Sequence, residues 1–331
     1  MASGDPVMKA LNELVPGGVG RGGARVGEGP GARTLRWVEA GRGQPGPTVV
    51  LAAGRNDTAI SWAPLLAALA GTHLVAYDRA GLGASDPDLA AGPPTVDRQV
   101  DDLAAVVRAA GDGPCVVVGH SWGGLLAHLL ATRHPELVRG LVLVDPAHVD
   151  MLSGLPRPLL WLNRLAAEHL LSALRALGLL RPIVLLSARR TSRRFSDDPL
   201  IRSLVVDAYR THAGSAHVRA SRQEFRAIVA SAPELRRSAS PIPDVPLVVL
   251  SASRGAPRGV RRHWTRLQAA LAAAAPGGRG RHLMVADSDH NIHHDQPELV
   301  ASAVLGVVET ARRAERDDQT ARQDSRTRQD G

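Results

Sequence analysis

Residues 115–128 read CVVVGHSWGGLLAH. Four apolar residues run into Gly119; after His120, Ser121 and Trp122, a pair of glycines opens an apolar pattern with helical spacing. An apolar run ending in glycine predicts a buried strand, and the pattern behind it predicts a helix. A turn this tight strains the backbone at Ser121 and pushes its hydroxyl out above the sheet. Neighbouring strand and helix crowd positions 119 and 123, where only glycine leaves room. The helix N-terminus adds positive dipole and free N–H groups beside that hydroxyl.

Outward from this turn the chain alternates. Residues 34–41, 47–54, 72–78, 115–119 and 138–147 read as strands, and 61–70, 95–110 and 122–134 as helices. Asp97, Asp101 and Asp102 near the start of the second helix suit its dipole. Strands alternating with helices predict an α/β fold, a mostly parallel sheet with helices on both faces. The rhythm breaks over 151–240, which is helically patterned apart from the ambiguous RPIVLLS at 181–187, and resumes at 241–311. Residues 1–33 are glycine-rich and expected to be flexible; the GxGxxG at Gly18, Gly20 and Gly23 lacks the strand and helix that a dinucleotide site needs. Residues 312–331, charged and almost without apolar side chains, read as a disordered tail. The division is therefore 1–33, core 34–150, insert 151–240, core 241–311 and tail 312–331.

The 331 residues carry a formal charge of +8, but 39 of the 40 basic residues are arginine beside the single Lys9, and Ala, Gly and Pro are abundant. That is the imprint of GC-rich codons, and no basic cluster is interleaved with aromatics, so nucleic acid is not the expected partner. The excess sits in the insert, with 15 Arg against six acidic residues. The only cysteine, Cys115, lies in an apolar strand and reads as a small buried hydrophobe. No signal-peptide pattern and no apolar run of about 18 residues is found, so a soluble cytoplasmic protein is expected.

Gly119 to Gly123 fits G-x-S-x-G, the nucleophile elbow, in the strand–turn–helix context that gives the motif its meaning. With it the chain resembles the α/β-hydrolase family over residues 34–310. YDRAGLGASD at 77–86 is similar to the family's D-x-x-G-x-G-x-S segment at Asp78, Arg79, Gly81, Gly83 and Ser85. DSDHNIHHDQPELV at 287–300 is similar to its histidine loop, with His290 seven residues before Pro297. The resemblance implies an α/β-hydrolase fold with an inserted helical cap, and a serine nucleophile with a histidine base.

A serine hydroxyl needs such a base at neutral pH. His290 follows the last strand and so lies at the carboxyl edge of the sheet, where Ser121 emerges; His293 and His294 are its rivals. Asp287, Asp289, His290, His293 and His294 are too irregularly spaced to be the preferred metal set, and neither metal nor cofactor is called for. The base needs an acid, yet no carboxylate lies between Asp244 and Asp287, where the family usually keeps it. A minority of the family carry it at the end of the strand after the elbow helix. Here that residue is Asp145, with Asp150 second. The alternative is that Asp145 merely ends its strand. The oxyanion needs two backbone donors, expected at Trp122 and Arg55; Ala53-Gly54 stands where relatives often have His-Gly.

These residues point to a serine hydrolase acting on an ester. Thioester, lactone or amide cleavage would use the same groups. Aspartate-nucleophile chemistry is disfavoured by the serine at 121. A non-catalytic binding protein of the same fold is the rival reading, motivated by the missing acid and the altered Ala53-Gly54. The apolar stretch 158–180 of the insert favours a small-molecule substrate with an apolar acyl or alcohol part. Arg157, Arg164, Arg175 and Arg181 leave open contact with an anionic membrane surface.

Overall fold

Among the described residues eight strands make one sheet: β1 (Gly20–Val26), β2 (Arg33–Ala40), β3 (Val49–Ala52), β4 (Leu74–Tyr77), β5 (Cys115–His120), β6 (Val138–Val144), β7 (Leu247–Ala252) and β8 (Gly280–Val285). Their spatial order is β1-β2-β4-β3-β5-β6-β7-β8. β1 and β2 run antiparallel, and all pairings from β4 to β8 are parallel. The computed structural model describes residues 5–89, 95–151, 165, 169–237, 242 and 244–327.

The parallel strands are apolar on both faces because helices cover both. Val116 and Val118 of β5 join Val49, Leu51, Val142 and Val144 against α2 (Ala63–Ala68) and α11 (Pro297–Thr327). Val117 joins Val50, Leu141 and Leu143 against α3 (Val96–Ala110), α4 (Trp122–Arg133) and α9 (Arg258–Ala273). Cys115 is fully buried, and burial pushes its thiol up to about 12, which leaves it unreactive at neutral pH. Of the three α3 aspartates, only Asp97 sits in the first helical turn; Asp102 turns inward and pairs with buried Arg33.

Between β6 and β7 the chain leaves the sheet. The described part forms α5 (His169–Ala176), α6 (Leu180–Phe195), α7 (Pro199–Tyr209) and α8 (Ser215–Arg237). The ambiguous RPIVLLS is thus the start of helix α6. Most of the apolar stretch 158–180 up to residue 168 lies outside the described residues, as do Arg157 and Arg164. Among the described residues no single helix is long and apolar enough to cross a membrane; α5 and α6 reach that length only together, and they meet at 109°.

Two terminal expectations are corrected. Residues 5–33 are not a loose segment. α1 (Pro6–Leu14), capped by Asp5, packs against α7, and β1 extends the sheet. Gly22 stands opposite Trp37, and a Cβ there would lie 2.0 Å from the indole nitrogen. The glycine leaves space for an aromatic neighbour, which composition alone cannot show. The last helix α11 continues to Thr327 through residues read as disordered. Its C-terminal stretch has neither glycine nor proline, and Glu309 bonds Arg313 one turn on.

Candidate active site

The four described non-glycine residues with positive φ are Asn56, Ser121, Asp145 and Asp287. Each lies just beyond the carboxyl end of a parallel strand, β3, β5, β6 and β8 respectively. Strained backbone of this kind costs about 1–3 kcal/mol per residue and clusters at working sites. Here it gathers along one edge of the sheet.

Ser121 has φ 50° and ψ −115°. Its N–H donates to the Val144 carbonyl at 3.0 Å, and its carbonyl accepts from Ala147 at 2.8 Å, which locks the elbow to the end of β6. The flanking glycines are obligatory. A Cβ on Gly119 would meet the Gly123 carbonyl oxygen at 2.5 Å, and one on Gly123 would sit 2.0 Å from that of Ala52.

Asp145, fully buried with φ 41°, follows β6 directly. Its Oδ2 accepts from His290 Nδ1 at 2.7 Å and from Arg261 Nη1 at 2.9 Å. Its Oδ1 accepts from Arg261 Nη2 at 2.8 Å, Gln268 Nε2 at 3.0 Å and the Ala252 amide at 3.2 Å. Burial alone would raise this carboxyl. The bonds from His290 and Arg261 outweigh it and hold the group down at about 2, so it is an anion at any ordinary pH. Because the Nδ1–H is donated to Asp145, the Nε2 of the neutral ring is left with its lone pair, as a base requires.

The His290 ring is one-third exposed and lies against Trp264, with centroids 5.1 Å apart. Its carbonyl accepts from the Nε2–H of His120 at 2.9 Å, so the residue before Ser121 braces the loop that carries His290. Burial holds His120 well below the ordinary histidine range and hence neutral. The rings of His120 and His290 stand 4.7 Å apart, which brings His290 to the elbow. Among the described residues the Ser121 hydroxyl and the His290 ring are not hydrogen-bonded; such bonds are often long in unliganded sites and tighten around substrate.

The rival residues lie elsewhere. His293 is fully buried, its ring packed 4.6 Å from Trp62 and 4.5 Å from His120. His294 donates from Nε2 to the Ser61 carbonyl. Asp287 pairs with Arg254, and Asp289 with Arg194 of α6. The Asp150 amide donates to His148, and its carbonyl accepts from His263. Asp244 pairs with Arg279 before β7, away from this edge. It is therefore Asp145, and not Asp150, that the fold brings to His290.

The loop after β3 is set by Arg79, whose guanidinium donates to the carbonyls of Ala53 and Gly54, each at 2.6 Å. The Gly54 carbonyl and the Arg55 N–H share one trans peptide plane, so the N–H points away from Arg79. A Cβ on Gly54 would lie 3.5 Å from the Cβ of Ser121, which puts this peptide beside the serine. Among the described residues neither the Trp122 nor the Arg55 amide donates to a protein acceptor. Arg79 is itself paired with Glu224 of α8, which also accepts from the Asn56 amide at 2.9 Å. Asp78 binds the amides of Ala59 and Ala84, so the 77–86 motif is the brace of this loop.

The sequence reading missed Arg261, Gln268, His120 and Glu224. One signal was present: Arg261 and Gln268 lie seven apart on the same buried face of α9 as Ala272. Polar residues on the core face of an amphipathic helix call for a buried partner.

A mostly parallel sheet with a strained serine at the β5 elbow and a histidine–aspartate pair at its edge is the architecture of a hydrolase. The model of the alpha/beta hydrolase family matches residues 49–303, and the chain belongs to that family. The uncharacterized protein YqjL of Bacillus subtilis is 24% identical over 269 residues, 80% of this chain and 85% of that one. Lipase LipV of Mycobacterium tuberculosis is 42% identical over 106 residues, 32% of this chain and 40% of LipV, so that match spans less than half of either. Among solved structures, Cfl2 of Burkholderia cenocepacia superposes with a TM-score of 0.65 at 22% identity, covering 87% of this chain and 96% of Cfl2.

Proposed function

We propose that this protein is a serine hydrolase that cleaves an ester through an acyl-enzyme on Ser121. The observation that carries the reading is the 2.7 Å bond from His290 Nδ1 to buried Asp145, made beside a strained serine at the same sheet edge. Ser121 Oγ attacks the carbonyl carbon while His290 Nε2 takes its proton. The tetrahedral oxyanion is held by the N–H groups of Trp122 and Arg55. His290 returns the proton to the departing alkoxide, and water, deprotonated by the same ring, releases the acid. Asp145 holds the tautomer and stabilises the imidazolium. The α5–α8 excursion acts as a cap over this edge, tied to it through Glu224 and through Arg194, which reaches Asp289 and Asp295 on either side of His290. The apolar sequence at 158–180 of the insert supports a substrate with an apolar acyl or alcohol part, and the lipase name of LipV agrees with that class.

A fluorophosphonate probe tests the reading. Labelling at Ser121 is expected, lost in Ser121→Ala and in His290→Ala, together with hydrolysis of p-nitrophenyl esters that rises with acyl length. Folded protein that takes no label would favour the rival, a binding protein of the same fold, for which Ala53 in place of a loop histidine is the supporting feature.

A further inference from the structure

The bidentate fork of Arg261 on Asp145 has no part in the mechanism above. Salt bridges at protein surfaces are worth little, but this one is enclosed: Arg261 is 6% exposed and Asp145 not at all. Three residues of one α9 face build it. Arg261 grips both carboxylate oxygens at 2.8 and 2.9 Å. Trp264 lies under the guanidinium, 4.3 Å from its carbon to the ring centroid, and donates its indole N–H to the Pro146 carbonyl at 2.7 Å. Gln268 bridges Asp145 and the same carbonyl, both at 3.0 Å. The stretch after β7 bears no carboxylate, and the helix that follows it sends back a cation instead.

We propose that Arg261 is a positioning residue that fixes the Asp145 carboxylate and tempers its attraction for the charged His290 ring. This rests on the serine-hydrolase reading. A lone buried carboxylate beside the ring would stabilise imidazolium strongly, so the ring would stay protonated, and useless as a base, up to a higher pH. With Arg261 on the same carboxylate the pair is neutral, and the ring gains less on charging. Among the described residues the titratable rings beside His290 are His120 on β5, 4.7 Å away between centroids, and His293 on α10 (Ile292–Asp295), which interacts with it electrostatically. Both are held well below the ordinary histidine range by burial and carry no charge at working pH. Arg194 from α6 is engaged by Asp289 and Asp295. Among the described residues the charge in direct contact with the His290 ring is thus Asp145, and the charge in direct contact with that carboxylate is Arg261.

The test compares wild type, Arg261→Gln and Arg261→Lys in two readouts: the acid limb of kcat/KM against pH, and the His290 ring signals followed by NMR, assigned by their loss in His290→Gln. In R261Q both midpoints move up by about one pH unit. In R261K, which restores charge without the fork, they move up by a smaller step. Unmoved midpoints in R261Q, or equal shifts in both variants, would overturn the proposal, because a purely structural arginine alters rate without moving the limb. Should R261Q fail to fold, R261K decides alone, and an unchanged limb there is the adverse result. The ring titration needs no substrate. Absent Ser121 labelling in the wild type would defeat the hydrolase reading, whereas unmoved ring titration would defeat only the role of Arg261.

Discussion

Ser121 and Asp145 leave neighbouring parallel strands by the same device, a positive φ one residue past the strand end, yet they are held there by different means. Around Ser121 the restraint on residue type is steric: Gly119 and Gly123 admit no side chain. Around Asp145 it is polar and distant: Arg261, Gln268 and His290 reach it from 116 to 145 residues away along the chain. A steric restraint dictates residue type at fixed spacing, and so writes a motif. A polar restraint assembled from remote elements writes none.

Breaking the two ends of the proposed relay should expose that contrast. Ser121→Ala or His290→Ala should each lower kcat/KM on a reactive ester by about 10⁶-fold, and the double variant should lose hardly more than either single one, since the two act as a unit. Losses that multiply in the double variant would mean that serine and histidine work separately.

Asp145→Asn should cost about 10⁴-fold, because the amide favours the wrong ring tautomer while leaving the shape intact. It should also alter stability with pH. A carboxyl held at about 2 in the folded state stabilises the fold above the ordinary carboxyl range, and this stabilisation is lost as pH falls through about 2. The gap in unfolding free energy between wild type and Asp145→Asn should therefore narrow toward pH 2, as measured by urea titration. A gap independent of pH would show that the carboxylate charge is not what the site holds.

At the steric end, Gly123→Ala should destabilise the fold by about 3 kcal/mol, since its methyl meets main-chain oxygen and not a movable side chain. Thermal unfolding measures this. A drop below about 0.5 kcal/mol would show that the elbow can relax, and that glycine there reflects something other than crowding.

The same contrast explains what the sequence disclosed. The alternating apolar runs gave the parallel sheet, because strands covered on both faces must be apolar throughout. The elbow was legible for the steric reason above. The gap between Asp244 and Asp287 excludes the family's usual acid, Asp145 follows from the resemblance to the minority of the family that carry it after the strand behind the elbow helix, and its bond to His290 is visible only in three dimensions. The clamp of Arg261, Trp264 and Gln268 stayed hidden because arginine on an amphipathic helix reads as solvated unless its burial is known. In the N-terminal segment the glycines read as flexibility from composition, while the missing side chain of Gly22 makes room for Trp37.

The smallest effect is expected at Arg55, and it separates backbone from side-chain function most finely. In the proposed mechanism Arg55 meets the oxyanion through its amide alone, beside the amide of Trp122, and the direction of the Arg55 amide is set by Arg79 through the Gly54 carbonyl. The Arg55 guanidinium lies over the ring of Phe225 in α8, 5.9 Å from its centroid. Arg55→Ala keeps the amide and removes that contact, so kcat on a neutral ester should change by less than about threefold, against the 10²–10³-fold that loss of an oxyanion donor brings. Assay of neutral and carboxylate-bearing esters side by side sharpens the point. A large loss confined to the anionic ester would show the guanidinium binding substrate, and a large loss on both would show that the loop is positioned by its side chain and not by Arg79.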